Sequence, residues 1–71
     1  MRKEYKVIVD HPLAPELHGQ HTFRCSQDGE YGWYADAPRF GCSKTYATPE
    51  QAIGQMVVDH GGSVLSMERT R

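Results

Sequence analysis

Residues 48–62, Thr-Pro-Glu-Gln-Ala-Ile-Gly-Gln-Met-Val-Val-Asp-His-Gly-Gly, carry the local signals that decide the fold. Thr48 is a good N-cap residue, Pro49 suits the first helical position, and Gln51 completes a capping box. Gly61-Gly62 ends the helix, because glycine takes the left-handed C-terminal conformation without steric cost. One apolar stripe recurs at helical spacing and consists of Ala52, Ile53, Met56 and Val57. The stretch therefore predicts a single helix that buries one face.

Short segments of alternating polarity on both sides of this helix predict an antiparallel sheet. We expect strands at residues 4–10, 21–26, 31–37 and 63–69, and a short further strand at 42–46. Residues 11–20 are expected to form a loop, and Gln27–Glu30 a hairpin turn. The buried face of the strands is expected to carry Tyr5, Val7, Val9, Phe23, Cys25, Tyr31, Trp33, Ala35, Ala37, Leu65 and Met67.

The fold class that follows is α+β, with a small antiparallel sheet of four to five strands packed on one helix in the order β-β-β-(β)-α-β. At 71 residues the chain has room for one domain, residues 1–71, and one core. A core of this size supplies roughly 3–5 kcal/mol of net stability. A homodimer or a complex with another protein would add to that.

Composition and charge exclude several classes of protein. Hydrophobic residues make up 38% of the chain, which favours a folded domain. The formal net charge is −1, so charge alone gives no strong attraction to nucleic acid or to an anionic membrane. No apolar run approaches the ~20 residues of a membrane span. The charged N-terminus lacks the apolar stretch of a signal peptide, so we expect a cytoplasmic protein whose two cysteines are reduced.

The set His18, His21, Cys25 and Cys42 is the most metal-like in the sequence. It offers nitrogen and thiolate ligands of the kind that tetrahedral zinc prefers. Its spacing matches no standard zinc module, and two loop histidines with two small buried thiols explain it better, because cysteine often packs in the core. We therefore expect neither a metal nor a cofactor, and a small zinc-binding protein stays open as an alternative.

The sequence shows no catalytic signature. It has no nucleophile elbow and no phosphate-binding loop, and the carboxylates are scattered along the chain. We expect a protein that is not an enzyme. An RNA-binding alternative would use Tyr31, Trp33 and Tyr34 as a stacking platform with Arg24 and Lys44, or a basic rim at the two chain ends.

The stretch from Gly32 to Cys42, continuing from Thr48 to Ile53, resembles the HicB antitoxin family. Gly41-Cys42 and the helix start Thr48-x-Glu50-x-Ala52 fall at the family's spacing. The preceding strand fits with one residue fewer, and the opening strand is also similar to the family's first. The sequence departs from the family in residues 11–30 and in the early end of the helix.

This resemblance implies a partially ribonuclease-H-like sheet without catalytic activity that binds and masks a small ribonuclease toxin. The sequence thus predicts a non-catalytic protein-binding module, either an antitoxin-like neutraliser or a small phage or mobile-element inhibitor. Its partner would be another protein, such as a ribonuclease toxin or a host enzyme. We place the contacts on the exposed hairpin face (Arg24, Tyr34, Asp36) or on the outer face of the helix (Gln55, Asp59).

Overall fold

A computed structural model describes residues 2–30 and 32–71 of the chain. Along the chain the elements are β1 (Arg2–Asp10), β2 (Gly19–Gln27), β3 (Trp33–Ala37), β4 (Gly41–Cys42), α1 (Pro49–Asp59) and β5 (Ser63–Arg69). The strands form one five-stranded antiparallel sheet in the spatial order β4-β3-β2-β1-β5. The expected α+β fold with one antiparallel sheet and one helix is confirmed.

The spatial order of the strands differs from their order along the chain. After β4 the chain crosses one face of the sheet as α1, and β5 then pairs with β1 at the opposite edge. The crossing leaves α1 packed against β2, β3 and β5. One face of the sheet, here called the helix face, is therefore covered, and the other, the outer face, is open.

The helix begins and ends where the sequence predicts. The Thr48 hydroxyl accepts a hydrogen bond of 3.1 Å from the Gln51 N–H, which is one half of the expected capping box. At the other end Gly61 has φ +91°, and the amides of Gly61 and Gly62 donate to the carbonyls of Val58 and Val57 at 2.9 and 3.0 Å. These two bonds form a Schellman motif, which satisfies carbonyls that the last turn leaves free.

The core lies between α1 and the helix face. Its side chains are Tyr5, Val7, Val9, Leu17, Phe23, Cys25, Trp33, Ala35, Ala37, Phe40, Ala52, Ile53, Met56 and Val57. Every helix-stripe residue that the sequence predicts is buried. Phe40 was not expected there, because it lies in the break after β3. The turn from Ala37 to Phe40 folds its ring back onto Phe23, with ring centroids 5.1 Å apart.

The structure corrects two details of the predicted sheet. Leu65 is 63% exposed, because the register between β1 and β5 shifts at Ile8/Val9 and leaves Leu65 as the extra residue of a bulge. Val64 takes its place against the core beside Met67. The strand expected at 42–46 is reduced to Gly41–Cys42, followed by a single bridge between Trp33 and Tyr46.

Two further bounds differ or lie outside what the structure shows. The loop after β1 is shorter than expected, because β2 already begins at Gly19. The strand expected at 31–37 begins only at Trp33, since Gly32 is not part of it. The expected burial of Tyr31 falls outside the described residues.

A hydrogen bond ties α1 to the sheet at its N-terminal end. The Tyr5 hydroxyl donates to the Glu50 carboxylate at 2.6 Å. Burial, reinforced by this hydrogen bond, raises the pKa of Tyr5 to about 12. The same hydrogen bond lowers the pKa of Glu50 from its ordinary value of 4.5. The bond therefore holds the tyrosine protonated and the carboxylate ionised.

The Tyr5–Glu50 bond predicts how stability depends on pH. Glu50 contributes stability above pH 4.5 that is lost as the pH falls through its lowered pKa. Tyr5 contributes stability below pH 10 that is lost as the pH rises toward about 12.

Tyr5→Phe should lower the free energy of unfolding at pH 7 by about 1 kcal/mol. Urea titrations at several pH values should also show that Glu50→Gln loses less unfolding free energy in acid than Glu16→Gln, which serves as a loop carboxyl control. Equal acid profiles for the two variants would contradict this role of Glu50.

Gly32 marks a close approach of two backbone segments. It has φ +112°, and a Cβ there would overlap the backbone carbonyl oxygen of Tyr46, the segment that bridges Trp33. Gly29 also has positive φ, +53°, but a Cβ there would meet open space.

This contrast makes Gly29 a matched control for Gly32. Gly29→Ala should cost about 1 kcal/mol of unfolding free energy from its left-handed conformation alone. Gly32→Ala adds the clash and should cost more than about 3 kcal/mol, close to the whole stability of so small a domain. Urea unfolding followed by Trp33 fluorescence measures both, and equal losses for the two variants would show that the approach at Tyr46 is not tight.

Candidate protein-interaction surface

The three residues predicted on the hairpin lie together on the outer face. Arg24 of β2 is directly opposite Asp36 of β3, and Tyr34 lies two residues before Asp36 on the same strand, opposite Ser26. Arg24 is exposed, and Tyr34 and Asp36 are half-buried. These side chains point away from α1, because successive side chains on a strand alternate between faces and Cys25 and Ala35 take the helix face.

A groove of about 390 Å³ lies on the outer face beside β4. The turn after β3 forms its wall, where Phe40 N–H donates to Ala37 C=O at 3.0 Å and Gly41 follows with φ +80°. The groove is lined by Thr22, Arg24, Asp36, Ala37, Pro38, Gly41 and Cys42. We call it the sheet-side groove.

The two residues predicted on the helix also form a pair. Gln55 Nε2 donates to Asp59 Oδ1 at 2.8 Å, and both side chains are exposed. They flank a second groove of about 420 Å³, the helix-side groove, between α1 and the segment that follows β4. Its lining residues are Cys42, Ser43, Lys44, Tyr46, Gln55, Met56, Asp59 and His60.

Cys42 lines both grooves. The structure therefore brings the hairpin residues and the helix residues, which the sequence presents as alternatives, to the two sides of one sheet edge. We call this the β4-edge surface and define it by Arg24, Asp36, Cys42, Gln55 and Asp59, together with Tyr34, which lies on the same outer face two residues before Asp36. The sequence did not indicate that Cys42 joins the two sets of residues. The break predicted from Pro38 to Gly41 marked this part of the chain, but no signal predicted a groove there.

Charges on the outer face are balanced across the strands. Arg24 lies between Glu4 of β1 and Asp36 of β3, and Lys6 lies between Thr22 and Glu68. At the β5 side Arg71 Nη1 is 3.8 Å from Glu4 Oε2. The adjacent chain ends therefore do not form a purely basic rim. Alternating charges of this kind stabilise paired strands modestly and give no net positive field for a phosphate backbone.

The aromatic platform considered for RNA does not form as expected. Trp33 is only 9% exposed and packs in the core. The Lys3 ammonium lies 4.8 Å above its ring centroid, and the Trp33 amide donates to Tyr46 C=O at 2.7 Å. Tyr31 lies outside the described residues, so Tyr34 is the platform member that the structure places on the outer face.

The zinc-like set is not brought together. Cys25 is fully buried on the helix face, whereas Cys42 is exposed and opposite Asp36 on the outer face. His18 Nδ1 accepts from the His11 amide at 3.1 Å, and His21 Nε2 donates to Leu17 C=O at 2.9 Å. Within residues 2–30 and 32–71, no three histidine, cysteine, aspartate or glutamate side chains group as metal ligands do.

Comparison with known proteins adds no relative: the chain matches no protein-family model, no curated protein and no solved structure. The resemblance to the HicB family therefore stays a prediction. Among the described residues, no helix is long and apolar enough to cross a membrane.

The two cysteines should differ sharply in reactivity. Burial, with a smaller contribution from the charge of Glu50, raises the pKa of the Cys25 thiol to about 12, and the thiolate is the reactive form. Iodoacetamide at pH 8 should therefore add one group to the native protein, at Cys42, and two groups in denaturing urea. Intact-mass analysis and peptide mapping measure this. Cys42→Ser should take up none in the native state, and rapid native labelling at Cys25 would contradict its burial.

Proposed function

We propose that this domain is a non-catalytic protein-binding module, antitoxin-like or a small inhibitor, that contacts its partner through the β4-edge surface. The observation that supports this most is the meeting of the two grooves at Cys42. Arg24 and Asp36 stand on one side of that edge and Gln55 and Asp59 on the other. A partner that wraps the edge would contact both sets at once.

The physical character of the surface fits a protein partner. Both grooves are lined by polar and apolar groups in mixture, and the edge itself is short, because β4 has two residues. Protein interfaces of moderate size have this mixed character, with a few central residues carrying most of the binding energy. The half-buried Tyr34 beside Arg24 supplies the residue types enriched at such central positions.

A nucleic-acid partner is less well supported. The cations of the outer face alternate with Glu4, Asp36 and Glu68, and Trp33 is buried. A single-strand binder needs a basic groove with exposed aromatic rings.

Cys42 provides a direct test, because it is the exposed one of the two thiols. The protein is labelled there with benzophenone maleimide, mixed with lysate of cells that carry the gene, and irradiated. The matched control is Cys42→Ser with Ser66→Cys, which moves the label to the exposed β5 edge of the same face. We expect a discrete protein adduct from the label at position 42 and not from position 66.

Alanine variants then locate the contact. Tyr34→Ala and Asp59→Ala should each weaken binding of the captured protein by more than about 1 kcal/mol, roughly fivefold, with the fold intact. Ser66→Ala should leave binding unchanged. The proposal would be overturned by equal adducts from both labels, by no stoichiometric protein adduct, or by nucleic-acid adducts that salt abolishes steeply.

A further inference from the structure

All four histidines of the chain meet at one end of the sheet. His11 and His18 begin and end the β1–β2 loop, here residues 11–18, His21 follows on β2, and His60 is the C-cap residue of α1. The Phe40 ring joins two of them, with centroids 5.0 Å from His21 and 5.1 Å from His60. Neither the predicted zinc set nor the β4-edge surface accounts for this arrangement.

The histidines close the β1–β2 loop through its backbone. Ala14 N–H donates to His11 Nδ1 at 3.0 Å, and the His11 amide donates to His18 Nδ1 at 3.1 Å. His21 Nε2 holds the Leu17 carbonyl at 2.9 Å, and Leu17 belongs to the core. In the first two bonds the imidazole is the acceptor, so the bonds require a ring nitrogen that carries no proton.

His11 also joins this loop to the end of the helix. His11 is only 6% exposed, and its Nε2 donates to the backbone carbonyl of His60 at 2.5 Å. The ring packs on the Gly61–Gly62 turn, where a Cβ at Gly62 would approach it to 3.2 Å. With Nε2 donating and Nδ1 accepting, the contacts specify one neutral tautomer of His11.

A second proton on His11 is incompatible with these contacts. It would sit on Nδ1 and face the Ala14 N–H, so two donors would oppose each other, and it would place a cation in a buried site. The titratable groups around the ring do not offset the cost of this buried charge. His60 offers its carbonyl, which is already used, while the Asp10 carboxylate lies 3.6 Å from His18 Nδ1. Glu16 and Asp59 are exposed on the loop and the helix. A proton on His18 Nδ1 would break its bond from the His11 amide but would face the Asp10 carboxylate, whereas protonated His11 has no ion-pair partner within residues 2–30 and 32–71.

We propose that His11 is a proton-sensitive latch that holds the β1–β2 loop against the C-terminal end of α1 and releases it on protonation. Release would free the loop that carries the exposed Leu13 and the buried Leu17. His60, whose carbonyl receives the latch, also lines the helix-side groove, so acid would alter that groove. This last link rests on the proposed function, whereas the latch itself does not.

The test follows the full chain alone by NMR, so its failure is distinct from failure to find a partner. Long-range nitrogen–proton correlations should show His11 as the Nε2–H tautomer at pH 8. As the pH is lowered to 5, protonation of His11 should coincide with shifts of the Ala14, Gly61 and Gly62 amides. Hydrogen-exchange protection of Ala14, corrected for intrinsic rate, should fall by at least about tenfold.

Two variants assign the effect to this ring. In His11→Asn the side-chain oxygen replaces Nδ1 as acceptor but does not titrate, so Ala14 protection should stay within about twofold between pH 8 and 5. His60→Gln keeps the backbone carbonyl and should respond as the wild type does. If His11→Asn does not fold, the tautomer of His11 in the wild type and the pH response of its Ala14, Gly61 and Gly62 amides test the proposal by themselves. An Nδ1–H tautomer, protonation of His11 without change at Ala14 and Gly61–Gly62, or an unchanged pH response in His11→Asn would each overturn the latch.

Discussion

One helix of 11 residues must cover a five-stranded sheet, and this constraint shapes the rest of the molecule. The helix is about 16 Å long, and five strands span about 19 Å, so α1 can cover one face and no more. Most apolar side chains of the long strands therefore point to that face, and Ile8, Tyr34 and Leu65 are the exceptions. The outer face is left to polar side chains whose charges alternate between strands.

The positions of the two grooves follow from where this cover ends. The helix packs against β2, β3 and β5, and β4 lies beyond its flank as a two-residue edge. The chain turns sharply before β4 and runs on beside β3 to Tyr46 after it, with one depression on the outer face and another beside the helix. A surface with grooves on both sides of a short edge is suited to a protein partner that wraps the edge, which is why we place the contact there.

The sequence predicts those parts of the fold that local signals specify. Thr48 and Gly61 mark the helix ends because capping is decided within a few residues, and alternation assigns Val7, Phe23 and Ala35 to the buried face. Contacts between distant segments leave no such pattern. The Tyr5–Glu50 bond spans 45 residues, the burial of Phe40 depends on a turn, and the bulge at Leu65 arises only when β5 pairs with β1.

The candidate surface was predicted in pieces for the same reason. Arg24, Tyr34 and Asp36 share a face by strand alternation, and Gln55 and Asp59 share a helix flank by their spacing of four. That Cys42 joins the two groups depends on the crossing of α1 over the sheet. The histidine contacts are likewise made by loop backbone, which carries no periodic signal.

The central claim is that Arg24, Tyr34, Asp36, Gln55 and Asp59 serve binding and carry little of the fold. A deep mutational scan scored for folded abundance tests this most directly. We expect substitutions at these five positions to change abundance little, while substitutions at Phe23, Ile53 and Val57 abolish it. If the five positions proved as intolerant as the core, the surface would be structural and the account would be contradicted.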